Sequence, residues 1–141
     1  MSEEASWHAG WENWIGRDHF EDLCGPMYYK KVGDEYVSRL MLEEKHMNGQ
    51  GNVHGGVLMT FADYALFVIP REQLMDIGAV TISFTSEFIA SADIGDLLEA
   101  KGEVIHETGR MLFVRGLVTT GEQSLLSFSG ILRKVKRKAG D

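Results

Sequence analysis

The run Val57-Leu58-Met59-Thr60-Phe61-Ala62-Asp63-Tyr64-Ala65-Leu66-Phe67-Val68-Ile69 constrains this chain more than any other stretch. Only Thr60, Asp63 and Tyr64 interrupt its apolar character before Pro70 stops it. A helix that is apolar nearly all round has no solvent face, so the rest of the fold must wrap it. It is too short to cross a bilayer, which takes about 20 residues. Asp63 is the anomaly, because a carboxylate on such a helix is costly to bury without partners or a task. The run is entered from a polar, glycine-rich loop, Asn48-Gly49-Gln50-Gly51-Asn52-Val53-His54-Gly55-Gly56. Free N–H groups at a Gly-Gly helix entry offer an oxyanion or phosphate a ready site.

The remaining segments suggest what does the wrapping. Trp7, Trp11, Trp14 and Ile15 recur at helical spacing, so 6–23 is expected to be an amphipathic helix ended by Gly25-Pro26. Its tryptophan stripe is expected to pack against a sheet edge or a second subunit. Residues 27–31 and 36–43 read as two strands joined by the turn Val32-Gly33-Asp34-Glu35. After the central helix, 70–78 is a connection and the rest is strand. In 79–90, Ile82, Phe84, Ser86 and Phe88 are expected on one face, with Thr81, Ser83, Thr85 and Glu87 on the other. Strands 97–107, 110–120 and 123–133 are separated by Thr108-Gly109 and Gly121-Glu122, which predicts an antiparallel meander. The expected fold class is α+β: one long central helix inside a twisted antiparallel sheet, with an extra N-terminal helix.

At 141 residues the chain is expected to be one domain, with 1–24 as a helical extension and 134–141 as a basic tail. A net charge of −7 argues against nucleic acid as a partner. The single cysteine, Cys24, excludes an internal disulfide framework, fits a reducing compartment and reads as a small buried hydrophobe. With no signal-like N-terminus, a cytoplasmic protein without a membrane partner is expected.

Asn48, Gly51, His54, Gly55, Gly56 and Asp63 stand in one register: Asn, two residues, Gly, two residues, His-Gly-Gly, and an acid nine residues after the His. In that register the chain resembles the hot-dog-fold acyl-CoA thioesterases, specifically the phenylacetic-acid-degradation (PaaI-like) type. The resemblance runs from about Phe20 to Arg133 and includes Ala79-Val80-Thr81, where the family often carries a hydroxyl. It implies a homodimer with sheets joined edge to edge, often paired again as a homotetramer. It places active sites at the subunit interface, with Asn48 and the Gly55 region from one subunit and Asp63 and Thr81 from the other.

Thioester hydrolysis needs donors for the carbonyl oxygen, a group that attacks, and groups that align it. The Gly55 N–H at the helix entry is the candidate oxyanion donor, helped by the helix dipole. Asp63 acts as general base on a water or attacks directly. Thr81 and Asn48 align the water, the carboxylate or the thioester. His54 is expected to fix the entry to the helix rather than move protons. Gly56, Ser83, Tyr64, Phe84, Phe88 and Arg110 are expected at the substrate, with Tyr64, Phe67, Phe84 and Phe88 lining the acyl tunnel. Arg110 or the run Arg133-Lys134-Val135-Lys136-Arg137-Lys138 would meet the phosphates of CoA, which enters as part of the substrate. No metal or other cofactor is expected. A hot-dog hydratase or dehydratase, and a non-catalytic acyl-CoA sensor, are the competing functions. The first commonly needs an Asp four residues ahead of a His, which the His54 to Asp63 spacing does not supply; the second gives Asp63 no purpose.

Overall fold

The computed structural model describes residues 7–14 and 16–136. Helix α1 (His19–Cys24) precedes strands β1 (Tyr28–Val32) and β2 (Glu35–Met41). The long helix α2 (Gly55–Val68) follows, and then β3 (Gly78–Phe88), β4 (Leu97–Glu107), β5 (Met111–Thr120) and β6 (Gln123–Val135). Single 3₁₀ turns at Glu44–His46 and Arg71–Leu74 flank α2 on either side. The six strands form one antiparallel sheet in the order β1-β2-β4-β5-β6-β3. The expected meander is β4-β5-β6, and β3 returns to pair with β6 at the far edge.

Helix α2 packs on the concave side of this sheet. Leu58, Phe61, Ala62, Ala65, Leu66 and Val68 on the helix meet Leu98, Ala100, Leu112, Val118, Phe128 and Leu132 on the strands, all of them buried. Helix and sheet approach closely where glycine removes a side chain. A Cβ on Gly130 of β6 would stand 2.4 Å from Leu66 Cδ1, and one on Gly102 of β4 would stand 2.8 Å from Ile69 Cδ1. The all-round apolar character of α2 is therefore explained by a sheet that curls around it.

The N-terminal helix is much shorter than the spacing predicts. Residues 7–10 form a turn, Glu12 makes an isolated bridge to Tyr29, and only His19–Cys24 is helical, capped by the Asp18 side chain on Glu21 N–H at 3.0 Å. Ser6 and Ile15 lie outside the described residues. The tryptophans are spaced for a helix, but each packs separately. Trp7 stands edge-on to Tyr28, Trp11 lies under the Arg39 guanidinium, and Trp14 tilts onto Tyr29 and Tyr64. Three aromatic anchors on β1, β2 and α2 hold an extended arm better than one helical stripe would. The run 133–138 divides as well. Arg133, Lys134 and Val135 belong to β6, with Lys134 paired to Glu107 at 2.5 Å, while Arg137 and Lys138 lie outside the described residues.

A second departure matters more for function. The β3–β6 register slips between Thr81 and Ser83, so Ile82 is an extra residue. Thr81 stands opposite buried Leu132, Phe84 opposite Gly130 and Ser86 opposite Phe128, which puts Thr81 on the helix-facing side. Ser83 stands opposite Ile131 on the other side. The simple alternation that groups Thr81 with Ser83, Thr85 and Glu87 is thus broken by a bulge, which re-aims one side chain at the cost of a ladder position.

Candidate active site

The glycine-rich loop is built around Asn48. Its side-chain oxygen accepts from Gln50 N–H at 2.9 Å and Asn52 N–H at 3.1 Å, and a Met47–Val53 bridge closes the loop. Buried His46 anchors the loop from below. Its Nδ1 accepts from Glu43 N–H at 2.8 Å, so Nε2–H is the donor to Cys24 O at 2.5 Å. The His46 carbonyl in turn accepts from His54 N–H at 2.9 Å. Asn48 thus spends its carbonyl on loop geometry and keeps only its side-chain amide for a substrate.

His54 is the N-cap of α2. Its Nδ1 accepts from Gly56 N–H at 2.8 Å, which leaves the exposed ring with Nε2–H as a donor. That cap takes up the Gly56 amide. The Gly55 N–H has no protein partner among the described residues and lies in the first turn, at the positive end of the helix dipole. The Phe88 ring lies over Gly55, 3.0 Å from where a Cβ would be, and is itself 58% exposed.

At the other end of the helix face, the Thr81 hydroxyl donates to Asp63 Oδ1 at 2.8 Å. The bulge in β3 makes this bond possible. Burial holds the Asp63 carboxyl above the ordinary carboxylate value; the Thr81 hydroxyl pulls it back down, and the charge of Asp18 adds to the rise.

A second acid stands close by, one that the sequence reading did not single out. Glu21 Oε1 accepts from Trp14 Nε1–H at 2.9 Å. Burial pushes Glu21 up to about 7 against the lowering effect of that hydrogen bond, and the charges of Asp18 and Asp63 push the same way. A carboxyl with a raised value is held protonated by the fold more firmly than by the unfolded chain. Its contribution to stability is therefore complete at low pH and is lost as pH climbs from 4.5 to about 7. The apparent Tm is expected to fall across that interval, and Glu21→Gln is expected to flatten the fall. Thermal unfolding of both proteins at a series of pH values checks this.

A cavity of about 580 Å³ opens between the N-terminal arm, the end of α2 and the start of β3. Phe67, one helical turn beyond Asp63, and Ala79, two residues before Thr81, line its inner side. Trp14 and Glu21 line its outer side.

The structure brings Asp63 and Thr81 together in one group, and Asn48, His54, Gly55, Gly56 and Phe88 in another. Three expected substrate contacts fall elsewhere. Ser83 is on the opposite side of the sheet from Asp63. Tyr64 is only 1% exposed, sandwiched between Trp14 and Phe61, and belongs to the core rather than to a tunnel wall. Arg110 sits exposed in the β4–β5 hairpin turn, outside both groups. Phe84 is half-buried against the core. Among the described residues, no group of three His, Cys, Asp or Glu side chains is placed to hold a metal ion.

A profile of the thioesterase superfamily matches residues 50–127, from the glycine-rich loop into the first part of β6. The chain belongs to the thioesterase superfamily. It is 33% identical over 114 residues to the candidate esterase PA0474 of Pseudomonas aeruginosa, covering 78% of this chain and 84% of that one. In three dimensions it is similar to the Escherichia coli PaaI protein of the phenylacetic acid degradation operon, with a TM-score of 0.75, 23% identity and 95% of each chain covered. It is also similar to a hypothetical thioesterase of Streptococcus pneumoniae solved with coenzyme A, with a TM-score of 0.73, 19% identity, and 86% of this chain and 96% of that one covered. At these identities the two structures speak to the fold, which is the hot-dog fold. No helix among the described residues is long and apolar enough to cross a membrane.

Proposed function

We propose that this superfamily member hydrolyses an acyl-CoA thioester to the free acid and CoA, in a site completed by two copies of the chain. The observation that carries the reading is the spacing along α2. Asp63 lies eight residues beyond Gly55 on one straight helix, a rise of about 12 Å. A thioester carbonyl must sit about 3 Å from both its oxyanion donor and its attacking group. Neither group reaches the other's carbonyl within one chain.

The edge of β3 supplies the solution. It is eleven residues long, unpaired on its outer side among the described residues, and carries exposed Val80, Ile82 and Phe88. A long apolar edge is a template for pairing. Antiparallel pairing of β3 with its own copy, centred between Phe84 and Thr85, sets Phe88 of one copy opposite Thr81 of the other. Gly55 underlies Phe88 and Asp63 bonds Thr81, so the two-fold brings the two half-sites together.

In that site the Gly55 N–H stabilises the oxygen as charge gathers on it. Asp63, aligned by Thr81, activates a water or attacks the carbonyl itself, and the thiolate of CoA leaves. Desolvation raises the basicity of Asp63, which suits either role. The Asn48 side-chain amide and His54 Nε2–H remain as donors to the incoming thioester. CoA comes in as substrate, and the coenzyme A bound by the pneumococcal relative supports that choice. A further pairing of dimers into a homotetramer, and a place in the cytoplasm, belong to the same reading. Purified protein is expected to release free thiol from phenylacetyl-CoA or a medium-chain acyl-CoA, followed with a thiol reagent. No release across a broad acyl-CoA panel would overturn hydrolysis and leave an acyl-CoA binder.

A further inference from the structure

We propose that the N-terminal arm selects the acyl group: Trp14 limits its length and Glu21 turns away acyl groups that end in a carboxylate, so the substrate is an uncharged acyl thioester of bounded length. The proposal rests on the thioesterase reading above and deepens it.

A carbonyl held at Asp63 sends two arms away from itself, the acyl chain and the pantetheine of CoA. One open path is the cavity that begins at Phe67 and Ala79. Leu74 and Ile77 continue its apolar lining, which suits hydrocarbon. The apolar inner wall of Phe67, Leu74 and Ile77 favours hydrocarbon over the polar pantetheine and its phosphates. The acyl chain is therefore the occupant.

The arm forms one wall of the cavity. Trp14 is held between Tyr64, at 4.5 Å between ring centroids, and Tyr29, at 5.3 Å, so its indole is a firm stop rather than a swinging side chain. The same indole donates to Glu21 and fixes that carboxyl at the cavity wall. Two arginines also line the cavity, Arg17 and Arg71. Arg71 is turned to the Trp14 and Tyr29 rings, 5.4 and 5.7 Å from their centroids, and Arg17 is exposed. The charges of Asp18 and Asp63 push the Glu21 value up, after burial. A terminal carboxylate brought here would be a further like charge in a desolvated place.

The test compares acyl-CoA thioesters of increasing chain length, an aryl-acyl thioester and a carboxylate-ended thioester such as glutaryl-CoA, at pH 8, where Glu21 is charged. Trp14→Ala is expected to move the chain-length optimum outward by about two to four methylenes. Trp14→Phe, which keeps an aromatic stop on Tyr64, is expected to move it by about one. Glu21→Gln retains the acceptor for the indole and is expected to raise the ratio of kcat/KM for the carboxylate-ended over the uncharged thioester about tenfold. Circular dichroism identifies which variants fold. An unchanged length profile in the folded Trp14 variants, or an unchanged ratio in Glu21→Gln, overturns the proposal while hydrolysis stands. A wild-type protein that cleaves nothing in the panel removes both readings together.

Discussion

Replacing Asp63 with Asn is expected to lower kcat by about 10²-fold or more while the fold persists. The substitution keeps the size and shape of the side chain. The Thr81 hydroxyl, now 2.8 Å from a carboxylate oxygen, finds an amide oxygen in the same place. Burial works against the charged form of Asp63, so removing that charge does not destabilise the helix. What is lost is the ability to take a proton from water or to attack the carbonyl. Thr81→Ala is expected to cost less, about tenfold, because it leaves the carboxylate present and only misaligned. It also has a signature of its own. The Thr81 hydroxyl lowers the Asp63 value, so its loss shifts the acid limb of kcat/KM to higher pH. Steady-state kinetics on both variants, with circular dichroism as the folding control, measure these effects. Wild-type kcat in Asp63→Asn would remove this residue from the chemistry.

Gly55→Pro is expected to cost about 10² to 10³-fold in kcat, the usual effect of deleting one oxyanion donor. A backbone N–H cannot normally be removed by mutation without breaking a helix, but the first helical position tolerates proline. The preceding residue must then be extended, and His54 already is, with φ −68° and ψ 132°. A Cβ at this position meets the Phe88 ring, which is exposed and can turn aside. This variant supplies the partner for a mixing experiment. Asp63→Asn and Gly55→Pro chains are each inactive alone. If every site takes Gly55 from one copy and Asp63 from the other, a mixed dimer holds one intact site. Random re-association then restores about a quarter of wild-type activity. No recovery from chains shown to have exchanged would refute the shared site.

The central helix, the β4-β5-β6 meander and the loop that enters α2 were all legible in the chain, because each rests on a local rule. A continuous apolar run, period-two alternation and turn residues at strand ends need no knowledge of distant segments. The N-terminal arm was not legible. Trp7, Trp11 and Trp14 have helical spacing, yet Tyr28, Arg39 and Tyr64 claim them one at a time, and a tertiary contact outweighs a weak local propensity. The Ile82 bulge was hidden for a related reason. Nothing in the run Thr81-Ile82-Ser83 announces an extra residue, and only pairing with β6 reveals it. Its effect was to put Thr81 with Asp63 and to send Ser83 away. Glu21 escaped notice because acids near a helix start are ordinary; only the indole of Trp14 and the proximity of Asp63 set it apart.

The bridge from Glu12 to Tyr29 has a consequence for how copies of this chain add up. It covers the outer edge of β1 with two backbone bonds, of 2.9 and 2.8 Å, and Lys30 and Lys31 guard what remains. A ribbon with two sticky ends can be lengthened without limit, one molecule after another, into a fibre. A ribbon with one sticky end can be joined only once. In the proposed pairing through β3, the tryptophan arm would therefore also work as a stopper, ending growth through the sheets at a pair.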